Sequence, residues 1–364
     1  MKSSTGQYYV GLDHIRAFAA FIVFVWHFIH VNDQHLASAS FPPFAILTEG
    51  HTGVSLFMTL SGYLFAKILN GRQVHYFGFL WNRFLRLAPL LLFVIVIVGV
   101  TNYWNGASME GYAERIFSGF IMPGWPNGGW SITIELHFYV ILPLLLFFSN
   151  RSLGWLPIFL LIAIIFRYFI FIINGEVQSF AYWTILGRID QFIIGILAFQ
   201  YFKFIQGKHL AIAAISFSFV MFYSWFEFNG GFYKFPSYPS PSPIWVLMPT
   251  IEAFAYATFI AWYDSSFKHS TSKASTVFAS IGTYSYSIYL LHFFFYSKMA
   301  NFVDDWIFEI SNVYIGLIFA VPNFFLMVPI AYLSFRFIEA PFLRFRTSYF
   351  KHTEQDKLND STKL

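Results

Sequence analysis

Long apolar runs alternate with short polar segments along the whole chain. Runs of about 17 to 25 residues, the length that a helix needs to cross the hydrocarbon of a bilayer, occur ten times. They lie near residues 15–31, 51–69, 84–102, 131–149, 153–173, 181–201, 209–226, 244–263, 277–297 and 312–337. The pattern predicts an all-α, polytopic integral membrane protein with about ten transmembrane helices, embedded in a lipid bilayer.

The composition agrees with this fold class. Of the 364 residues, 57% are hydrophobic and only 11% are charged, which is more apolar than a soluble domain of ordinary composition. The weakest of the ten runs is 181–201, because Arg188 and Asp190 interrupt it. No small-residue cleavage signature follows the first run, so we expect a retained first helix and not a signal peptide.

The positive charges lie mostly on one side of the predicted helices. An even number of spans places both termini on the same side, and 16 of the 22 Lys and Arg residues fall on that side. Only three fall in the opposite loops, and three more lie within spans. Cytoplasmic loops carry an excess of Lys and Arg, so we expect both termini to be cytoplasmic. The sequence has no run of Lys or Arg and no cysteine, so we expect no nucleic-acid partner and no bound metal.

The first predicted helix, "HIRAFAAFIVFVWHFIH", carries Arg16 and His27 within an apolar run. Eleven residues nearly complete three helical turns, so both side chains share one face about 16 Å apart along the axis. Polar residues inside a span usually face the protein interior or a wet cavity. Asp13, three residues before Arg16, is a candidate ion-pair partner. The alternatives are an interfacial role for Arg16 and a packing role for His27.

The segment "WNRFLRLAP" places Arg83 and Arg86 on one helix face at the cytoplasmic start of the third span. Guanidinium groups bind phosphates through planar, bidentate hydrogen bonds, and a CoA thioester would supply such phosphates. The alternative, which this segment alone favours, is that the two arginines only anchor the helix on its cytoplasmic side.

Two acidic positions lie in the predicted outer half of the membrane. Glu135 in "WSITIELHFYVILP" is a functional candidate because an unpaired acid there is costly. A structural pairing of Glu135 with Arg188 or Arg167 is the alternative. In "GRIDQF", Arg188 and Asp190 are further candidates, or they neutralise nearby charges.

The segment "GTYSYSIYLLHFFFY" predicts an ascending helix with Tyr289 and His292 on one face. His292 lies about as deep in the membrane as His27, although a core histidine bonded to a tyrosine hydroxyl is the alternative. Glu339 in the last span is a candidate structural partner of Arg336 or of the arginine pair. These positions form a cytoplasmic layer with Arg16, Arg83, Arg86 and Glu339, and an outer layer with His27, Glu135, Arg188, Asp190, Tyr289 and His292.

Seven segments occur in the same order and at compatible spacing as in a known family. They are "LDHIRAFAAFIVFVWH", "GVSLFMTLSGYLF", "RFLRLAP", "WSITIELHFYVILP", "GRIDQFIIGILAF", "SYSIYLLH" and "FIEAPFLR". The chain therefore resembles the acyltransferase family 3 membrane proteins, which transfer acyl groups to cell-envelope glycans and other acceptors. The resemblance covers about residues 11 to 345.

The resemblance implies a ten-helix membrane O-acyltransferase of the bacterial cytoplasmic (inner) membrane, with acyl-CoA used from the cytoplasm as co-substrate. It implies a transmembrane domain over 1–345, with 346–364 as a short polar cytoplasmic tail. It also implies importance for Arg16, His27, Arg83 and Arg86. Some members carry a C-terminal hydrolase-like domain, so we expect this chain to act alone or with a separate partner protein.

We therefore expect acetyl transfer from acetyl-CoA to a hydroxyl of a surface polysaccharide or its lipid-linked precursor, as part of polysaccharide biosynthesis. His27 is the expected general base, because an imidazole titrates near operating pH. Arg83 and Arg86 are expected to hold CoA phosphates, and Arg16 to orient the donor near its thioester. The expected acceptor-binding or supporting residues are Glu135, Arg188, Asp190, Tyr289 and His292. Direct transfer and an acyl-His27 intermediate both stay open.

Two other functions stay open. In a transporter, the intramembrane charges would line a path for a glycan or small molecule. The lack of an internal repeat and of matched helix-breaking Gly or Pro pairs weighs against this alternative. The other alternative is acylation of a peptide, lipid or small molecule.

Overall fold

The predicted all-α fold class is confirmed in the part of the chain that the structure describes. The computed structural model describes residues 9–31, 39, 41–70, 72, 74–152, 154–270 and 272–350. These residues form helices and connecting turns, and their only β-type pairing is one isolated antiparallel bridge between Val74 and Phe350.

Sixteen α-helices follow one another along these residues. They are α1 (Val10–Ile29), α2 (Ala45–Thr48), α3 (Thr52–Leu69), α4 (Tyr76–Trp104), α5 (Met109–Ser118), α6 (Trp130–Arg151), α7 (Trp155–Asn174), α8 (Gln178–Trp183), α9 (Ile185–Gln200), α10 (Phe202–Ile205), α11 (His209–Phe228), α12 (Met248–Ser266), α13 (Lys273–Thr283), α14 (Ser285–Leu291), α15 (Tyr296–Trp306) and α16 (Val313–Ser334). Short 3₁₀ turns cover Pro42–Phe44, Pro243–Val246, His292–Phe294 and Phe342–Phe345, and a π-helical turn, Phe335–Glu339, extends α16.

Seven helical segments of the described part are long and apolar enough to cross a membrane. They are α1, α3, α4, α6, α7, α11 and the run Val313–Glu339. The predicted spans 181–201, 244–263 and 277–297 correspond instead to α8 with α9, to α12, and to a broken helical run. α9 has only 16 residues, about 24 Å of helix, which is less than the ~30 Å of bilayer hydrocarbon. By length and composition the described residues give seven candidate spans and not ten.

The prediction of one continuous helix over 277–297 is wrong. α13 ends at Thr283, α14 follows after one residue, and a 3₁₀ turn separates α14 from α15. Donors from other elements satisfy carbonyl groups of the broken run: Arg86 Nη2 lies 3.1 Å from the Thr283 oxygen, and Asn127 Nδ2 lies 3.3 Å from the Leu290 oxygen. Interrupted helices are tolerated within membranes where the protein supplies such partners.

Close crossing of α3 and α9 forms the centre of the helix bundle. A Cβ atom on Gly62 would lie 2.2 Å from the Phe192 carbonyl oxygen, and one on Gly195 would lie 2.2 Å from the Thr59 oxygen. Small residues of this kind let two membrane helices approach along their backbones. The outward faces of α7 and α11 expose apolar side chains such as Ile162 and Phe217, as expected of a lipid-facing surface.

The Gly/Pro/Ser-rich segment after α11 is held against the bundle by buried side chains. Glu49, between α2 and α3, accepts a hydrogen bond from the Phe232 N–H at 3.2 Å. The Gln178 amide donates to the Phe232 oxygen and accepts from the Ser240 N–H. Gly231 has a φ of +60°, and a Cβ atom there would overlap the Glu49 carboxylate, so this approach requires glycine. Burial raises the pKa of Glu49 to about 7.

Candidate active site

A cavity of about 270 Å³ lies between α1, α3, α4, α6 and α14. Five residues singled out from the sequence line it together: Arg16, Arg83, Arg86, Glu135 and Tyr289. They come from four helices that are distant in sequence, so the fold brings together side chains that the motifs only suggested. The cavity also contains side chains that the sequence reasoning missed, which are Arg346, Tyr349 and Ser131.

Four arginine side chains line the cavity, those of Arg16, Arg83, Arg86 and Arg346. The predicted ion pair within α1 is present, with Arg16 Nη1 2.5 Å from Asp13 Oδ1. Arg86 Nη1 lies 3.3 Å from Glu339 Oε2, which confirms one of the predicted pairings of Glu339. Arg336, the other candidate, donates to the Tyr332 hydroxyl instead.

Arg83 differs from its neighbours because it has no ion-pair partner among the described residues. Its guanidinium group lies over the rings of Phe65 and Phe79, at 5.3 and 5.6 Å from their centroids. Its Nε atom is buried without a hydrogen-bond acceptor in the described part of the chain. A buried N–H donor without an acceptor is costly, and an anion in the cavity would satisfy it.

Glu135 faces the cavity and accepts a hydrogen bond from the Tyr139 hydroxyl, one turn further along α6. Its alternative pairing with Arg167 or Arg188 is wrong. Arg167 instead binds Asp190, as described below, on the side of the bundle where α7 meets α9. Glu135 therefore remains available to whatever occupies the cavity.

His27 and His292 are in direct contact. His292 Nε2 lies 3.2 Å from His27 Nδ1, and the two ring centroids are 4.8 Å apart. His292 Nδ1 lies 3.1 Å from the Ile288 carbonyl oxygen, so this nitrogen carries the proton and Nε2 is the acceptor. His27 Nδ1 also lies 2.9 Å from the Val23 oxygen and therefore carries the proton that His292 shares. A neutral His27 then keeps its lone pair on Nε2, which makes no hydrogen bond to the described residues.

Tyr289 links the cavity to the histidine pair without bonding to it. Its hydroxyl donates to the Gly128 oxygen at 3.0 Å, and its ring centroid is 6.1 Å from that of His292. The alternative of a core histidine bonded to this hydroxyl is therefore wrong. Gly128 has a φ of +73°, and a Cβ atom on it would lie 2.9 Å from Phe293. The glycine-containing turn before α6 thus packs directly over α14.

Arg188 and Asp190 do not line the cavity. Arg188 Nε donates to the Tyr182 oxygen at 2.6 Å, and its guanidinium lies over the Tyr182 ring. Asp190 accepts from Arg167 at 2.8 Å and from the Thr250 hydroxyl at 2.6 Å. Both residues are buried, and they lie in the first two turns of the central helix α9. The predicted neutralising role fits this geometry, and contact with an acceptor does not.

Residues 346–350, predicted to begin a polar tail, pack against the start of α4. Tyr349 is 1% exposed and lines the cavity with Arg346. Burial lowers the pKa of Arg346 to about 10, and the nearby Arg83 and Arg86 charges add to this effect. The later part of the predicted tail, residues 351–364, lies outside the described residues. In the sequence Arg346 looks like one more basic residue after the last span, so only its packing identifies it.

The family follows from a match to nearly the whole chain. A family model described as an acyltransferase domain, acyltransferase 3, matches residues 9–336. The chain therefore belongs to this acyltransferase family, as its seven segments predict.

Similar curated proteins come from Staphylococcus aureus. One, of strain MRSA252, bears the name "Putative O-acetyltransferase" and is 27% identical over 94% of this chain and 60% of its own length. Another, of strain NCTC 8325, is named O-acetyltransferase OatA and is 25% identical over 93% of this chain and 58% of its own length. The chain thus spans about 60% of the length of these relatives. No solved structure matches it.

Proposed function

We propose that the chain is a membrane-embedded O-acyltransferase that moves an acyl group, in the simplest case acetyl, from acyl-CoA to a hydroxyl of a surface polysaccharide or lipid-linked glycan. The observation that carries the proposal is the His27–His292 contact, which leaves His27 Nε2 as a free base on the helix that also brings Arg16 to the cationic cavity. The names of the Staphylococcus aureus relatives support O-acetyl transfer.

In this proposal His27 Nε2 removes the proton from the acceptor hydroxyl. The resulting oxygen attacks the thioester carbonyl, the carbon–sulfur bond breaks, and the departing CoA thiolate takes up the proton held by His27. The products are the ester and free CoA. His292 holds the His27 ring in the required tautomer, as the second member of a catalytic pair commonly does. Attack by His27 itself, through an acyl-imidazole, is the alternative sequence of bond changes.

The donor phosphates bind at the arginine-lined end of the cavity, and Arg83 and Arg86 supply the charge that CoA requires. Arg16 lies deeper along α1 and orients the acyl-bearing arm. In this proposal the arginines face the cytoplasm and the histidine pair lies towards the outer side of a bacterial inner membrane, with both termini cytoplasmic. Ten crossings then require that α8 with α9, α12 and the broken run of α13 to α15 cross the membrane in addition to the seven candidate spans. The acceptor then approaches from outside, either directly or through a separate partner protein.

The test is acetyl transfer by the purified chain in proteoliposomes with labelled acetyl-CoA, comparing wild type with His27→Gln. The variant should fold normally, since an amide fills similar space, while turnover should fall by about 10²-fold or more. His30→Gln is the matched control, because His30 lies one turn after His27 and its Nδ1 atom bonds the Trp26 carbonyl. Near wild-type turnover in a stable His27→Gln protein would contradict the mechanism.

A further inference from the structure

The segment of residues 346–350, here called the C-terminal strap, is fixed to the beginning of α4 by hydrogen bonds to the backbone of the strap. Asn82 donates to the Thr347 oxygen at 2.7 Å and accepts from the Thr347 N–H at 3.0 Å. The His75 N–H donates to the Tyr349 oxygen at 2.7 Å. Because the Asn82 side chain is fully buried and bonds both polar groups of Thr347, the strap has one defined position on the bundle.

The strap directs Arg346 into the same cavity as Arg83 and Arg86. The Nε atoms of Arg346 and Arg83 are both buried, and neither has a hydrogen-bond partner in the described residues. Such donors cost free energy when nothing accepts from them. Two guanidinium groups in one cavity therefore each have a buried N–H group that no described residue accepts from.

Positive charge exceeds negative charge around Arg83 and Arg346. Asp13 is paired with Arg16, and Glu339 lies beside Arg86. Neither Arg83 nor Arg346 has a carboxylate within ion-pair distance in the part of the chain described. Like charges held together in a partly buried space repel one another, so the site is stabilised by a ligand that brings several negative charges.

We propose that Arg346 is a third phosphate-binding arginine, which the C-terminal strap sets beside Arg83 and Arg86, and that the site selects donors by their number of phosphate groups. The proposal rests on the proposed function in that CoA, with a pyrophosphate and a further ribose phosphate, is the expected donor. Each guanidinium then has a phosphate to bind, and the adenosine end of the donor lies against the strap.

The experiment measures binding of CoA, of dephospho-CoA and of pantetheine, which has no phosphate, to the purified full chain. Arg346→Gln should weaken CoA binding by about 10- to 100-fold, the scale of a charged hydrogen bond, and leave pantetheine binding unchanged. The CoA affinity of Arg346→Lys should lie between that of wild type and that of Arg346→Gln, because lysine keeps the charge but loses the planar donors. Arg344→Gln is the matched control, since Arg344 is exposed and does not line the cavity. If Arg346→Gln does not fold, the CoA affinity of Arg346→Lys is compared with that of wild type instead.

Equal CoA affinity in wild type and in both Arg346 variants would overturn the proposal, as would an equal loss for pantetheine, which would indicate a packing role. Inorganic pyrophosphate separates this inference from the proposed function. If wild type binds pyrophosphate but not CoA, and Arg346→Gln weakens pyrophosphate binding, the anion site is upheld and the acyl-CoA donor is refuted. A chain that binds neither would refute both.

Discussion

A single contact between two imidazole rings fixes the hydrogen-bonding state of His27 near the end of α1. His292 Nε2 accepts a hydrogen bond from His27 Nδ1, so the lone pair of His27 lies on Nε2, the atom that the proposed mechanism uses as the base. His292 has its own Nδ1 fixed by the Ile288 carbonyl and is therefore the positioning residue of the pair.

This arrangement predicts different outcomes for two substitutions at His292. His292→Gln keeps an acceptor near the position of Nε2 and should lower kcat by less than about tenfold. His292→Phe keeps the ring volume but removes the acceptor, and should lower kcat by about 10²-fold with KM for the donor unchanged, because the cavity is left intact. Steady-state kinetics of acetyl transfer checks both. Equal losses in the two variants would show that His292 acts only through packing.

Sequence reasoning at this scale finds residues but not their partners. Helical periodicity places Arg16 and His27 on one face, and the depth of His292 matches that of His27. The contact itself depends on how α1 and α14 pack, which no local pattern encodes. The sequence does not single out Arg346 for the same reason, since its position follows from the hydrogen bonds between Asn82 and Thr347, which are 265 residues apart in sequence.

At the scale of elements, the largest surprise is the division of one apolar run into α13, α14 and α15. Hydropathy measures how apolar a run is, and it contains no information about which donors form hydrogen bonds with the backbone carbonyl groups. Arg86 and Asn127, which satisfy carbonyls of this run, belong to other parts of the chain. Predicting the breaks would have required knowing those contacts.

The Gly/Pro/Ser-rich segment held by Glu49 gives a prediction about pH. Burial raises the folded pKa of Glu49 from 4.5 to about 7, so the folded chain binds this proton more tightly than the unfolded chain does. Stability should therefore fall as pH rises from about 4.5 to 7, by on the order of 3 kcal/mol. Glu49→Gln should remove this dependence and raise the melting temperature at pH 8, as measured by thermal unfolding in detergent.

The exposed Glu309 supplies the comparison, and Glu309→Gln should leave the pH dependence of melting as it is in wild type. If Glu49→Gln is less stable than wild type at pH 8, then the ionised carboxylate contributes a favourable interaction that outweighs its burial.

For the molecule as a whole, the absence of cysteine permits a direct test of sidedness. A cysteine at Ser237 should react with an impermeant thiol reagent added outside intact cells, and one at Ser272 should react only after the membrane is opened. Both positions are exposed in the structure, so neither is protected by packing. The reverse pattern would overturn the orientation in which the arginines face the cytoplasm.

The fold class and the family could be predicted from the sequence, because apolar runs and ordered motifs are properties of the chain alone. The number of crossings could not be fixed in the same way. α9 is short, and its buried Asp190 pairs with Arg167 within the bundle. Such a central helix is surrounded by protein, so its composition does not show whether it crosses the lipid bilayer. The position of the strap belongs to the same class of tertiary information.

Tyr289 lines the cavity, its hydroxyl is bonded to the Gly128 carbonyl, and its ring packs beside those of Phe57 and His292. An enzyme that passes an acyl group between the two faces of a membrane needs no open channel, because the acyl carbon only exchanges one covalent bond for another inside the protein. Under the proposed mechanism the acyl group would cross by a change of covalent bonds beside these packed aromatic rings, so the reaction would not require the cell to give up its electrochemical gradient.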